Sequence, residues 1–89
     1  MLIRKHIRFY GKVQGVGFRY HATYKARLIG LTGWVRNCYD SSVEMEVQGE
    51  AELIDNLLLY LYKQKFICIK RMDEEKIDLK EERDFKEKW

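Results

Sequence analysis

A glycine-rich stretch near the N-terminus has the composition of an anion-binding loop. It reads Gly11-Lys12-Val13-Gln14-Gly15-Val16-Gly17-Phe18-Arg19. Glycines let the backbone turn so that successive N–H groups point into one concavity, and a helix that follows adds the positive end of its dipole. An arginine where the loop meets the helix grips a phosphate through paired hydrogen bonds. The stretch predicts a phosphate site, although glycine-rich turns between a strand and a helix also occur without a ligand.

A second candidate group is the asparagine that ends Gly33-Trp34-Val35-Arg36-Asn37. An asparagine amide has both a hydrogen-bond donor and an acceptor, which suits it to holding a water for attack on phosphorus. The alternative is that Asn37 only begins the turn that leads to Asp40. The residues of this segment leave both interpretations open.

Hydrophobic periodicity predicts the elements that position these groups. Apolar residues that alternate with polar ones, or that cluster with β-branched ones, predict strands at 3–10, 32–39 and 43–47, a strand region at 66–79 and a short closing strand at 85–89. Apolar residues at helical spacing predict helices at 19–29 and 50–64.

The order strand–helix–strand–strand–helix–strand is the split βαβ, ferredoxin-like arrangement of an α+β (α/β) fold. In that arrangement the first and third strands are central neighbours, and the second strand lies beside the third. The end of the second strand, with Asn37, is therefore expected near the loop that follows the first strand.

Composition limits the class of protein. With 89 residues, the chain is expected to form a single domain, 1–89, and its 46% hydrophobic residues favour a globular protein over a disordered one. No apolar run approaches the roughly 20 residues that span a bilayer, and no signal peptide is recognisable, so we expect a cytoplasmic protein without a membrane segment. Lys and Arg exceed Asp and Glu by 10 to 6 in residues 1–69, which favours an anionic partner there, either small or extended.

Two cysteines, Cys38 and Cys68, match no zinc-binding spacing, so the cysteines predict no zinc site. They are expected to stay reduced, because the second and fourth strands of the predicted sheet are too far apart for a disulfide.

The two motifs together resemble the acylphosphatase family. The stretch from Gly11 to Arg19 matches the first signature of that family, and the stretch from Gly33 to Asn37, with Val43 and Gly49 after it, matches the second. The resemblance is specific over residues 6–49 and weaker beyond.

The resemblance implies a fold and an activity. The fold would be a sandwich of a mixed, mainly antiparallel sheet with two helices on one face. The activity would be hydrolysis of a small-molecule acyl phosphate to carboxylate and phosphate, without metal or cofactor. Asn37 would position the water and Arg19 would bind the phosphoryl group, together with the backbone N–H groups of the loop residues Gln14, Gly15, Val16, Gly17, Phe18 and Arg19.

Two departures from the family are visible. Ser41 stands where the family commonly has a turn glycine, so a local adjustment by the side chains of Asp40 and the serines is expected. The Gly-Pro that often precedes the fourth strand is replaced by Gln64-Lys65-Phe66.

Other interpretations remain open at this point. One is a domain that binds anions without turnover. Another is an RNA-binding module, since such modules share this strand order; the third strand, however, carries Glu44, Glu46 and Gln48 in place of the aromatic residues that stack on bases. We therefore expect that the protein does not bind nucleic acid. We also expect a monomer. His6 and His21 are expected to have structural roles.

Overall fold

The computed structural model describes residues 1–88. In chain order the elements are β1 (Leu2–Lys12), α1 (Phe18–Leu28), β2 (Thr32–Asn37), β3 (Val43–Glu50), α2 (Ala51–Tyr62), β4 (Cys68–Ile77) and β5 (Phe85–Lys88). The five strands form one sheet in the order β4-β1-β3-β2-β5. All neighbouring strands run antiparallel except β2 and β5, which run parallel. The predicted ferredoxin-like fold, with its mixed, mainly antiparallel sheet and closing strand, is confirmed.

Both helices cover the same face of the sheet. Ile7 and Phe9 of β1 and Met45 of β3 point to that face, because side chains alternate along a strand, and they are fully buried. They form one hydrophobic core with the buried side chains of the two helices, which include Ala22, Ala26, Ile54, Leu57 and Leu61. The small alanines let α1 approach the sheet closely.

The opposite face of the sheet, called the open face below, carries paired charges. Arg4 is fully buried there and donates hydrogen bonds to Glu46 of β3 and to Glu82, which lies in the segment between β4 and β5. Farther along the same face, Glu44 accepts hydrogen bonds from Arg36 at 2.7 Å and lies 2.6 Å from the ring nitrogen Nε2 of His6. His6 therefore contacts a carboxylate on the open face and lies away from the glycine-rich loop.

The observed elements differ from the predicted ones mainly at their ends. β1 extends to Lys12 through an irregularity in its pairing with β4 at Tyr10 and Gly11. β2 ends at Asn37, two residues before the predicted end, because the hairpin to β3 begins there. β4 is confined to Cys68–Ile77. The predicted closing strand begins at Phe85, and its last predicted residue, Trp89, lies outside the described residues.

The hairpin between β2 and β3 shows the adjustment expected at Ser41. Ser41 has a φ of 73°, a left-handed conformation that favours glycine. The side chain of Asp40 accepts hydrogen bonds from the backbone N–H and the hydroxyl of Ser42. These bonds hold the pKa of Asp40 below its ordinary value. The polar side chains thus stabilise a turn that a glycine would form without strain.

The sheet order also separates the cysteines. Cys38 follows β2 and Cys68 begins β4, and two strands lie between β2 and β4. Both thiols are free. Neither α1 nor α2, the helices of the described part, has the length and apolar sequence that crossing a bilayer requires.

Candidate active site

The glycine-rich loop reverses the chain between β1 and α1. Gly15 and Gly17 adopt left-handed φ values of 72° and 81°, which side chains with a Cβ rarely adopt. Gly17 is also the residue that caps the N-terminus of α1, so the helix begins at Phe18. The two glycines therefore allow a loop of only five residues to place the N-terminus of α1 next to the end of β1.

The loop residues that precede Arg19 contribute few backbone hydrogen bonds of their own. Among the backbone-to-backbone hydrogen bonds described for residues 1–88 outside helices and strands, none has its donor between residues 14 and 18. The N–H groups at the start of a helix have no partner within the helix itself, and the helix dipole makes this end positive. The loop therefore presents a set of N–H donors suited to an anion.

These amides border a cavity of about 170 Å³, called the phosphate cavity below. Arg19 and Asn37 both line it, together with Val13, Gly15, Gly17, Phe18, Tyr20 and Glu87. Gly15, Gly17 and Phe18 are the predicted phosphate-binding residues that reach this cavity along with Arg19. The structure therefore places the candidate arginine, the candidate asparagine and part of the loop around one space, as the strand order requires.

Two of the predicted loop residues do not line the phosphate cavity. Val16 is partly buried and packs against the hydrophobic core. The side chain of Gln14 points to the β2–β3 hairpin, where its Nε2 donates to the carbonyl oxygens of Cys38 at 2.8 Å and Ser42 at 2.9 Å. Gln14 thereby ties the loop to the residue that follows Asn37. This contact between loop and hairpin has no signal in the sequence.

The guanidinium of Arg19 lies beside a carboxylate. Its Nε is 3.9 Å from Oε1 of Glu87 on β5, and the side chains of Arg19 and Glu87 are 23% and 37% exposed. Glu87 reaches this position because β5 pairs in parallel with β2, opposite Val35. Sequence reasoning missed Glu87, because the placement of a four-residue closing strand depends on its partner and not on its own residues.

His21 and Cys38 lie near the cavity without lining it. The Nδ1 atom of His21 is 3.2 Å from the hydroxyl of Tyr60, so this ring joins α1 to α2. Cys38 lies on the open face, with its Sγ 3.9 Å from Glu44. Within residues 1–88, no cluster of three or more His, Cys, Asp or Glu side chains is arranged to hold a metal ion.

Comparison with known proteins gives a consistent result. The family model described as Acylphosphatase matches residues 5–87. A protein of Bifidobacterium longum named acylphosphatase is 54% identical over 57 residues, which are 64% of this chain and 59% of that protein. The chain therefore matches about three-fifths of the length of such curated relatives.

Solved structures resemble the chain over nearly its whole length. An acylphosphatase from Coxiella burnetii superposes with a TM-score of 0.89 at 32% identity, covering 98% of this chain and 93% of that one. The crystal structure of an acylphosphatase from Bacillus subtilis gives a TM-score of 0.91 at 27% identity, with both chains covered completely.

Proposed function

Because this chain belongs to the acylphosphatase family, we propose that it hydrolyses acyl phosphates to a carboxylate and inorganic phosphate. The observation that carries the proposal is the phosphate cavity, which brings Arg19, the loop amides and Asn37 around one space of about 170 Å³. A small phosphorylated molecule is the expected substrate class. Each of these groups has a separate task in the reaction.

Arg19 and the loop amides bind the phosphoryl group. Guanidinium and N–H donors match the oxygens of a phosphoryl group, and both stabilise the negative charge on those oxygens during transfer. The carboxylate of Glu87 lies 3.9 Å from Nε of Arg19. A phosphoryl group that enters the cavity takes over this interaction, so Arg19 exchanges one anion for another.

Asn37 positions the water. Its amide accepts a hydrogen bond from the water and directs the water oxygen at phosphorus. The new bond forms between the water oxygen and phosphorus, while the bond between phosphorus and the acyl oxygen breaks. The electron pair of the broken bond leaves with the carboxylate, and the proton of the water passes to a phosphate oxygen.

A general acid is not required for this reaction. The leaving group is a carboxylate whose conjugate acid has a pKa of about 4, so it departs unprotonated at neutral pH. Phosphoryl transfer depends mainly on positioning and on charge stabilisation. One arginine, one asparagine and a set of amides are therefore sufficient.

Hydrolysis of acetyl phosphate by the purified protein in excess EDTA tests the proposal. We expect turnover by the unmodified protein and a loss of about 10²- to 10³-fold in kcat for Arg19→Ala and for Asn37→Ala. Arg71→Ala and Asn56→Ala are matched controls, since Arg71 pairs with Asp73 on β4 and Asn56 is an exposed residue of α2.

The outcomes separate the enzyme from a domain that binds anions without turnover. Unmodified protein that binds inorganic phosphate in a calorimetric titration but shows no turnover would support the second interpretation. Full activity of Arg19→Ala would contradict the assignment of the phosphate cavity as the active site.

A further inference from the structure

A second concavity adjoins the phosphate cavity and runs along α1. It encloses about 280 Å³ and is lined by Tyr20, Thr23, Tyr24, Arg27 and Glu87. We call it the α1–β5 groove. Tyr20 and Glu87 line both spaces, so the groove adjoins the cavity at these two side chains. When the phosphoryl group of a ligand lies in the cavity, the rest of the ligand can extend into the groove.

Two tyrosine rings form one wall of the groove. Tyr20 and Tyr24 are one helical turn apart, and their rings are nearly parallel, with an interplanar angle of 13° and centroids 6.4 Å apart. Tyr20 is 65% exposed and Tyr24 is 51% exposed. Exposed rings of this kind offer a flat apolar surface on which another aromatic ring can pack.

We propose that the α1–β5 groove binds the acyl group of the substrate and favours an uncharged aromatic acyl group, an inference that rests on the proposed hydrolysis. The aromatic ring packs against the rings of Tyr20 and Tyr24, which form one wall of the groove. In-line displacement places the leaving group opposite the water. Asn37, which holds the water, lines the phosphate cavity but not the groove.

The charges around the groove favour an uncharged group over an anionic one. The guanidinium of Arg27 donates to the carbonyl oxygen of Phe85 at 2.9 Å and lies 3.3 Å from the carboxylate of Asp84. Its charge is therefore already balanced. The carboxylate of Glu87 stands where the groove meets the cavity and repels a second anionic group on the ligand.

A different cavity near Asn37 would favour an anionic acyl group over an uncharged one. It lies beside the hairpin, encloses about 570 Å³ and is lined by Arg8, Arg36, Asn37, Cys38 and Tyr39. Two arginines in this lining favour an anionic acyl group. Because Asn37 belongs to it, this cavity lies on the side from which the water approaches. Substitution of the tyrosines that line each cavity shows which of the two binds the acyl group.

The experiment compares benzoyl phosphate with acetyl phosphate as substrates. We expect Tyr20→Ala and Tyr24→Ala each to lower the ratio of their kcat/KM values, benzoyl over acetyl, by about three- to tenfold. Tyr39→Ala and Tyr62→Ala are the controls, since both side chains are exposed and lie outside the groove, and they leave the ratio unchanged. An unchanged ratio in both groove variants, or a lower ratio in Tyr39→Ala, would overturn the proposal.

A binding measurement separates this inference from the proposed hydrolysis. We expect benzylphosphonate to bind the unmodified protein more tightly than methylphosphonate, and Tyr20→Ala to abolish that preference, whether or not the protein turns over acyl phosphates. Equal binding of the two phosphonates would refute the proposed binding of an aromatic acyl group in the groove, even if hydrolysis is observed.

Discussion

The ion pair between Arg19 and Glu87 is expected to compete with phosphate for the guanidinium of Arg19. The carboxylate of Glu87 lies 3.9 Å from the guanidinium that is proposed to bind the phosphoryl group. Glu87 also repels an anion directly, since it lines the same cavity. If Arg19 binds the phosphoryl group as proposed, its interaction with Glu87 lowers the affinity for phosphate.

Removing the charge of Glu87 is expected to strengthen phosphate binding. Because Glu87 is partly exposed, its interaction with Arg19 is worth at most about 1 kcal/mol, and we expect Glu87→Gln to lower the inhibition constant of inorganic phosphate about two- to fivefold. Glu52→Gln on α2 is the matched control. A phosphate affinity that stays constant or falls in Glu87→Gln would show that the pair does not compete with the ligand.

At the scale of elements, the site depends on how the loop and the β2–β3 hairpin are joined. Gln14 provides this connection through hydrogen bonds from one amide nitrogen to the carbonyl oxygens of Cys38 and Ser42. Asn37 immediately precedes Cys38, so its position relative to the loop is set by this contact. In the proposed reaction, the water and the phosphoryl group are held by two elements whose separation this contact fixes.

Loss of this connection is expected to affect turnover more than binding. We expect Gln14→Ala to lower kcat about tenfold while the inhibition constant of phosphate changes less than threefold, because small displacements of a positioning residue reduce the rate strongly. The control is Gln64→Ala, whose amide donates to the carbonyl oxygen of Tyr60 at the end of α2. Equal losses in binding and kcat would indicate that Gln14 acts only by keeping the loop folded.

The hairpin itself contains a strained residue. Ser41 has a φ of 73°, and a side chain in the left-handed region costs about 1 kcal/mol or more, which glycine avoids. We therefore expect Ser41→Gly to raise the free energy of unfolding by about 0.5 kcal/mol, after the greater chain entropy of glycine is subtracted. Urea unfolding measures this change. Ser42→Gly is expected to act in the opposite direction, because it removes the hydroxyl that bonds to Asp40.

At the scale of the whole molecule, the two faces of the sheet have different tasks. One face carries the hydrophobic core and both helices, and the other carries the charge network around Arg4 and Glu44. Although burial by itself raises the pKa of Glu44, hydrogen bonds from His6 and Arg36 outweigh it and hold the pKa below its ordinary value of 4.5. The unfolded chain therefore binds a proton at Glu44 more readily than the folded protein does.

This shift predicts how stability depends on pH. A carboxyl group with a lowered pKa contributes stability above its unfolded pKa and loses it as the pH falls through the folded pKa. We therefore expect the urea midpoint to fall as the pH is lowered below 4.5, and to fall less steeply in Glu44→Gln. If the urea midpoints of the unmodified protein and of Glu44→Gln fall in parallel as the pH is lowered, Glu44 does not contribute to the loss of stability in acid.

The sequence predicts the elements better than their contacts. The alternation Val43, Met45, Val47 and the helical spacing of Ala22 and Ala26 are local patterns, and the structure confirms the strand and helix that they predict. The position of Glu87 beside Arg19 and the bonds from Gln14 to the hairpin join residues far apart in the chain. No local pattern contains such contacts, because they depend on which strands pair and on which way a side chain turns.

The site residues illustrate the same limit. Arg19 and Asn37 were identifiable because they stand in two motifs, and the strand order explains why they meet at one cavity. Tyr20 and Tyr24 lie in a helix with no motif of their own. That they line one groove with Glu87 becomes visible only when the position of β5 is known.

Hydrolysis of an acyl phosphate in ¹⁸O-labelled water tests the central claim most directly, because the two ends of the substrate give different products. If the water held by Asn37 attacks phosphorus, the label enters inorganic phosphate and the carboxylate remains unlabelled, as mass spectrometry of both products will show. We predict that result for acetyl phosphate in the presence of EDTA. Label in the acetate would mean attack at the acyl carbon, and would contradict the roles proposed here for Arg19 and Asn37.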